Sequence, residues 1–107
     1  MAAMEINKEQ FYQLTSGEQP VLVDFWAPWC VYCRKIAAAY DSVAETYKDQ
    51  LVAVKIDIEA EAPISVMEQI EVLPTLVLYK NGRAVDSIVA PESRAMIDRF
   101  VRGALER

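Results

Sequence analysis

Two β-branched, apolar runs, Val21 to Phe25 and Leu51 to Ile58, stand either side of a segment in which Ile36, Tyr40, Val43, Ala44 and Tyr47 recur at helical spacing. Such runs suit buried strands, and two parallel strands need a long crossover between them, so a helix is expected from Cys30 to about Tyr47. Upstream, Asn7 and Gln10 make a capping pair ahead of Phe11 and Leu14, which predicts a short helix ending at Ser16-Gly17. Downstream, Pro63 suits a first helical turn, and Ile64, Met67 and Ile70 mark a short apolar face that Pro74 terminates. Lys80-Asn81-Gly82-Arg83 lies between the apolar runs Thr75 to Tyr79 and Ala84 to Val89. Asn-Gly tolerates positive φ at both central positions, so an antiparallel hairpin is expected. Met96, Ile97, Phe100, Val101, Ala104 and Leu105 then outline one wide face of a final helix, with Ser93 as its cap. The expected fold class is α/β, a mixed sheet with helices packed against it.

Composition narrows the chemistry. A chain of 107 residues has room for one core, so one domain spanning 1–107 is expected. Its 53% hydrophobic content is too high for a disordered chain, so it should fold unaided. The formal charge of −5 offers no basic footprint, which argues against nucleic acid and anionic lipid as partners. The absence of histidine removes Ser-His and Cys-His catalysis, imidazole metal sites and histidine pH switching. No apolar stretch approaches the roughly 20 residues of a membrane-spanning helix. The start, MAAMEINKEQF, carries charge at Glu5 and Lys8 and no signal-peptide core, so a cytoplasmic location is expected.

Chemistry therefore falls on Cys30 and Cys33, three residues apart where a helix begins after a strand. Unpaired N–H groups and the positive end of the helix dipole stabilise a thiolate there, lowering a thiol from about 8.5 toward roughly 7 or below. Cys30 is thus the expected nucleophile. Cys33 is its neighbour on the helix surface and can close a short disulfide with it, which makes it the resolving thiol. Half of a zinc site is the competing reading, but zinc needs about four ligands and the chain has no third Cys and no His. A site shared across a dimer, or a cluster completed by outside thiols, stays open.

With VDFWAPWCVYC (Val23 to Cys33), VLPT (Val72 to Thr75) and YKNG (Tyr79 to Gly82) in this order and spacing, the chain resembles the thioredoxin family from about Phe11 to Leu105. The resemblance implies a thioredoxin-like fold, a central mixed sheet of about five strands flanked by about four helices. Its first strand would lie near Met4 to Ile6. It implies a dithiol that reduces or exchanges protein disulfides, with no bound cofactor. It also implies a monomer recharged by a thioredoxin reductase, commonly an NADPH-linked flavoprotein.

Asp24 interrupts an apolar run and shares a face with Leu22 and Trp26, so burial is expected to raise its pKa. The matching family residue assists deprotonation of the resolving cysteine, here Cys33. Lys55 interrupts the second run and matches the family lysine near that acid; a structural ion pair with Asp24 is the plainer alternative. Pro74 is expected in a special turn, because inside a strand it would remove a ladder donor. The family has it cis, which would leave the Leu73 backbone free to pair with an extended substrate beside Cys30. Trp29, Val72, Leu73, Ala90 and Pro91 would then form an apolar rim, while Trp26 reads as core.

Three departures from the family stand out. Val31-Tyr32 replaces Gly-Pro between the cysteines, making both residues candidates for partner contact. The extra N–H at position 32, facing the sulfur, would favour the dithiol and a less reducing potential. Ala38 stands where the family has a kinking proline, which predicts a weak kink or none. Ala90 replaces a glycine near the substrate backbone. Glutaredoxin-like, oxidase and isomerase variants are alternatives within this chemistry. A thioredoxin-fold binding module or iron-sulfur scaffold is the alternative outside it.

Overall fold

The computed structural model describes residues 3–107 and joins five strands in one mixed sheet of order β1-β3-β2-β4-β5. These are β1 (Met4–Glu5), β2 (Val21–Trp26), β3 (Val52–Asp57), β4 (Thr75–Lys80) and β5 (Arg83–Val89). β3 runs parallel to both β1 and β2, whereas β4 is antiparallel to β2 and β5. The hairpin lies where Asn-Gly places it, with Asn81 at φ 57° and Gly82 at φ 78°. A register shift at Leu78/Tyr79 accommodates one extra residue of β5.

Helices α1 (Lys8–Thr15), α2 (Val31–Lys35), α3 (Ala37–Thr46), α4 (Ile64–Met67) and α5 (Arg94–Leu105) cover the sheet. Capping follows the sequence pattern: Asn7 and Gln10 form a reciprocal box, and Ser93 Oγ accepts the Met96 amide at 3.1 Å. Alternation along β2 divides the core. Leu22 packs with Tyr40, Val43, Leu76 and Ile97 on one side, and Val21, Val23 and Phe25 pack with Phe11 and Ile64 on the other. On α5, Ile97, Val101 and Ala104 are buried, while Met96, Phe100 and Leu105 flank them half-buried. Each buried aliphatic side chain in such a core contributes about 1.5–3 kcal/mol, so the face of α5 is a substantial part of what holds the fold.

Three expectations change here. The helix after the cysteines is not continuous: it divides at Ile36, the residue between α2 and α3, at φ −91°, ψ −1°. No proline is needed for this break. Ile36 is buried with Tyr40 in the core cluster, so both helices keep one face toward the sheet. Around Pro63 the short helix lasts four residues, with Pro63 at its cap after a cis peptide bond. Only Ile64 of its expected apolar face is buried; Ile70 is half-buried and Met67 is exposed. Trp26, finally, is half-buried rather than core, because its indole Nε1 donates to the Glu5 carboxylate at 3.0 and 3.2 Å.

Candidate active site

The chain leaves β2 at Trp26, turns through Ala27-Pro28-Trp29 and enters α2 with Cys30 as the capping residue. Cys30 N–H donates to the Ala27 carbonyl at 3.0 Å, closing this turn. Cys30 Sγ accepts the Cys33 amide at 3.2 Å, so the sulfur occupies the place a capping oxygen would take. The two cysteines are joined as a disulfide with Cα atoms 5.3 Å apart. Both are largely covered, Cys33 (3% exposed) more deeply than Cys30 (8%). Access thus favours attack at Cys30. The donor to sulfur is the amide of Cys33 and not that of Tyr32, which removes one ground for expecting a shifted potential. Any residue pair between the cysteines leaves the Cys33 amide in place.

Tyr32 instead lies half-buried across α2, with its hydroxyl donating to the Pro91 carbonyl at 3.0 Å. A proline at this position has no donor for that bond. Pro91 is accordingly buried beneath the rim rather than part of it. The exposed rim consists of Trp29 (60%), Val31 and Val72, with Leu73 and Ala90 half-buried behind them. Trp29 is held by a hydrogen bond from its indole to Glu59 Oε2 at 2.6 Å, a partner the sequence does not signal.

The Leu73-Pro74 peptide bond is cis. The Pro74 carbonyl accepts the Ala90 amide at 2.8 Å, and Thr75 Oγ1 donates to the Val72 carbonyl, tying this loop to the start of β4 and the end of β5. Ala90 is left-handed, with φ 44°, where a side chain is disfavoured by about 1–2 kcal/mol. Gly loses more chain entropy on folding, which offsets part of the relief. Ala90→Gly is therefore expected to raise unfolding free energy by up to about 1 kcal/mol, read as a higher denaturant midpoint at unchanged slope. An unchanged or lower midpoint would show that the Ala90 methyl contributes packing that outweighs its strain.

Asp24 is fully buried (0% exposed), and neither carboxyl oxygen has a hydrogen-bond partner among the described residues. Burial pushes its pKa up to about 7; Lys55 opposes the rise, while Glu5 and Asp41 add to it. The ion pair with Lys55, the plainer alternative for these two residues, does not form. Lys55 is beside Asp24 in the β2–β3 register, but its ammonium sits over the Trp26 ring, 4.6 Å from the centroid. Tyr40 of α3, on the Leu22 side of the sheet, is also wholly buried, with its hydroxyl donating to the Leu22 and Val54 carbonyls at 3.1 and 2.7 Å. Its phenol is thus committed to backbone and not to Asp24.

A covered, redox-active cysteine pair at a helix start, a buried acid without a hydrogen-bond partner on the preceding strand and an apolar rim together suit exchange with a disulfide presented by another chain. Residues 2–103 match the thioredoxin family model. The chain is 39% identical over 90 residues to a thioredoxin of Griffithsia pacifica, covering 83% of each. It is 40% identical over 97 residues to an M-type chloroplastic thioredoxin of Chlamydomonas reinhardtii, covering 90% of this chain and 69% of that one. Among solved structures, a thioredoxin of Malassezia sympodialis superposes with a TM-score of 0.82 at 27% identity, covering 99% of this chain and 90% of that one.

Proposed function

Since the chain belongs to the thioredoxin family and is a thiol-disulfide oxidoreductase, we propose that Cys30 attacks, Cys33 resolves and Asp24 carries the proton between the two steps. The observation that carries this assignment is the Cys30 sulfur at the capping position of α2, accepting an amide where a thiolate gains most. The Cys30 thiolate attacks one sulfur of a protein disulfide and displaces the other as thiolate. The Cys33 thiol gives its proton to the Asp24 carboxylate and attacks Cys30 Sγ, releasing the second substrate thiolate. The substrate gains two electrons and the Cys30–Cys33 pair loses them.

Family members use this dithiol in place of a cofactor, act on protein disulfides and are recharged by a reductase. We further propose a single-domain, cytoplasmic monomer recharged by an NADPH-linked flavoprotein thioredoxin reductase. The support is a dithiol with no other cysteine in the chain, which depends on an outside reductant to turn over. In the proposed rim, Trp29, Val31 and Val72 supply apolar contact, and Leu73 beside cis-Pro74 offers backbone for an extended peptide. Ala90 and Tyr32 shape the wall of this groove, and Lys55 tunes Asp24. No observation favours a scaffold or a cluster carrier. Among the described residues no helix is long and apolar enough to cross a membrane, and no group of three Cys, Asp or Glu could hold a metal.

The test is reduction of a cystine-containing protein with NADPH and a thioredoxin reductase. Turnover is expected for the natural chain and none for Cys30→Ser. Turnover sustained by Cys30→Ser would overturn the assignment. Turnover with dithiothreitol alone would leave the dithiol role intact and reassign the electron donor.

A further inference from the structure

Glu5, Lys55 and Asp24 occupy one register row across β1, β3 and β2, so their side chains emerge on the same face of the sheet. A single ammonium therefore stands between two carboxylates on adjacent strands. The two are not equivalent. Asp24 is buried without a partner, whereas Glu5 is exposed at the sheet edge and accepts the Trp26 indole through both oxygens. Lys55 lies against the ring that Glu5 holds.

We propose that Glu5 is a positioning residue for the redox reaction: by fixing the Trp26 ring and drawing Lys55 toward the sheet edge, it keeps the ammonium from pairing with Asp24. The inference rests on the role of Asp24 given above and extends it to a residue outside the cysteine motif. An Asp24 paired with Lys55 would be a weak base, poorly matched to a thiol proton. An Asp24 left without its cation is a base of suitable strength. The other groups around it do not supply this control. From α3, Tyr40 is bonded to two backbone carbonyls and Asp41 Oδ1 accepts the Ala3 amide at 2.9 Å. From β4, the register neighbour is apolar Leu76.

Nuclear magnetic resonance titration of the Asp24 carboxyl carbon in the oxidised protein tests this, in the natural chain, Glu5→Gln, Lys55→Gln and the double variant. Gln keeps an acceptor for the Trp26 indole while removing the charge that attracts Lys55. Glu5→Gln is expected to lower the Asp24 midpoint by about half a unit to one unit, and by clearly less in the Lys55→Gln background, where only the direct charge of Glu5 is removed. The Lys55 side-chain protons should lose part of their ring-current shift in the same variant. An unmoved midpoint overturns the proposal, as does an equal shift with and without Lys55, which would mean that Glu5 acts by its charge alone. The titration needs no substrate. Loss of the Asp24 role would appear instead as a turnover profile that Asp24→Asn leaves unchanged, so the two failures are distinguishable.

Discussion

Cys33→Ser mixed with a protein disulfide should accumulate a covalent adduct through Cys30, stable on non-reducing electrophoresis and located by mass spectrometry. In the natural chain the second thiol is held with its Cα 5.3 Å from that of Cys30, so the mixed disulfide is attacked intramolecularly. Effective molarities for well-placed groups reach about 10⁵ M or more, and no free thiol in solution replaces that. Resolution should therefore slow by several orders of magnitude, and the adduct should persist from seconds to hours or longer. Cys30→Ser should give no adduct, because Cys33 is the more deeply covered sulfur and lacks the capping position. Adduct formation through Cys33 at a comparable rate would reverse the two roles.

Asp24→Asn should stabilise the fold and slow the reaction together. With a folded pKa of about 7 against an ordinary value of 3.8, the folded protein holds a proton that the unfolded chain releases between those limits. The sign follows: stability is greatest below about pH 4, falls as pH rises through this window, and reaches its minimum above about pH 7. A shift of about three units corresponds to about 4 kcal/mol, large beside an ordinary stability of about 5–15 kcal/mol. Denaturant unfolding of the oxidised protein at pH 4, 6 and 8 should show this decline, and Asp24→Asn should abolish most of it. In the same variant, resolution of the mixed disulfide should slow by about 10²-fold near neutral pH, the usual worth of a general base. A flat stability profile in the natural chain would mean that water or Lys55 reaches the carboxylate and relieves it.

The break at Ile36 and the indole of Trp26 show why the sequence reached the architecture but not every joint in it. Periodicity at Ile36, Tyr40 and Val43 reports which side chains face inward, and it is blind to where one helix ends and the next begins along the same face. The cysteine pair, the buried Asp24 and the Asn-Gly hairpin were legible because each is a local departure with one physical meaning. Glu5, Glu59 and the Tyr32–Pro91 bond were not. Each depends on a contact between residues at least 21 positions apart, and an exposed glutamate carries no local mark of its partner.

By itself, the sequence determined the main strands and helices after residue 6, the sulfur chemistry at the start of α2 and the burial of an acid in the strand before it. These follow from short-range patterns, in which alternation, capping and turn chemistry act over a few residues. Only the tertiary structure decided where the Lys55 ammonium goes. Strand register aligns Glu5, Lys55 and Asp24 in one row, and the Trp26 ring then takes the ammonium that simple pairing would have assigned to Asp24. That placement leaves the buried Asp24 carboxyl without a hydrogen-bonded cation, and desolvation outweighs the pull of Lys55 on its proton affinity.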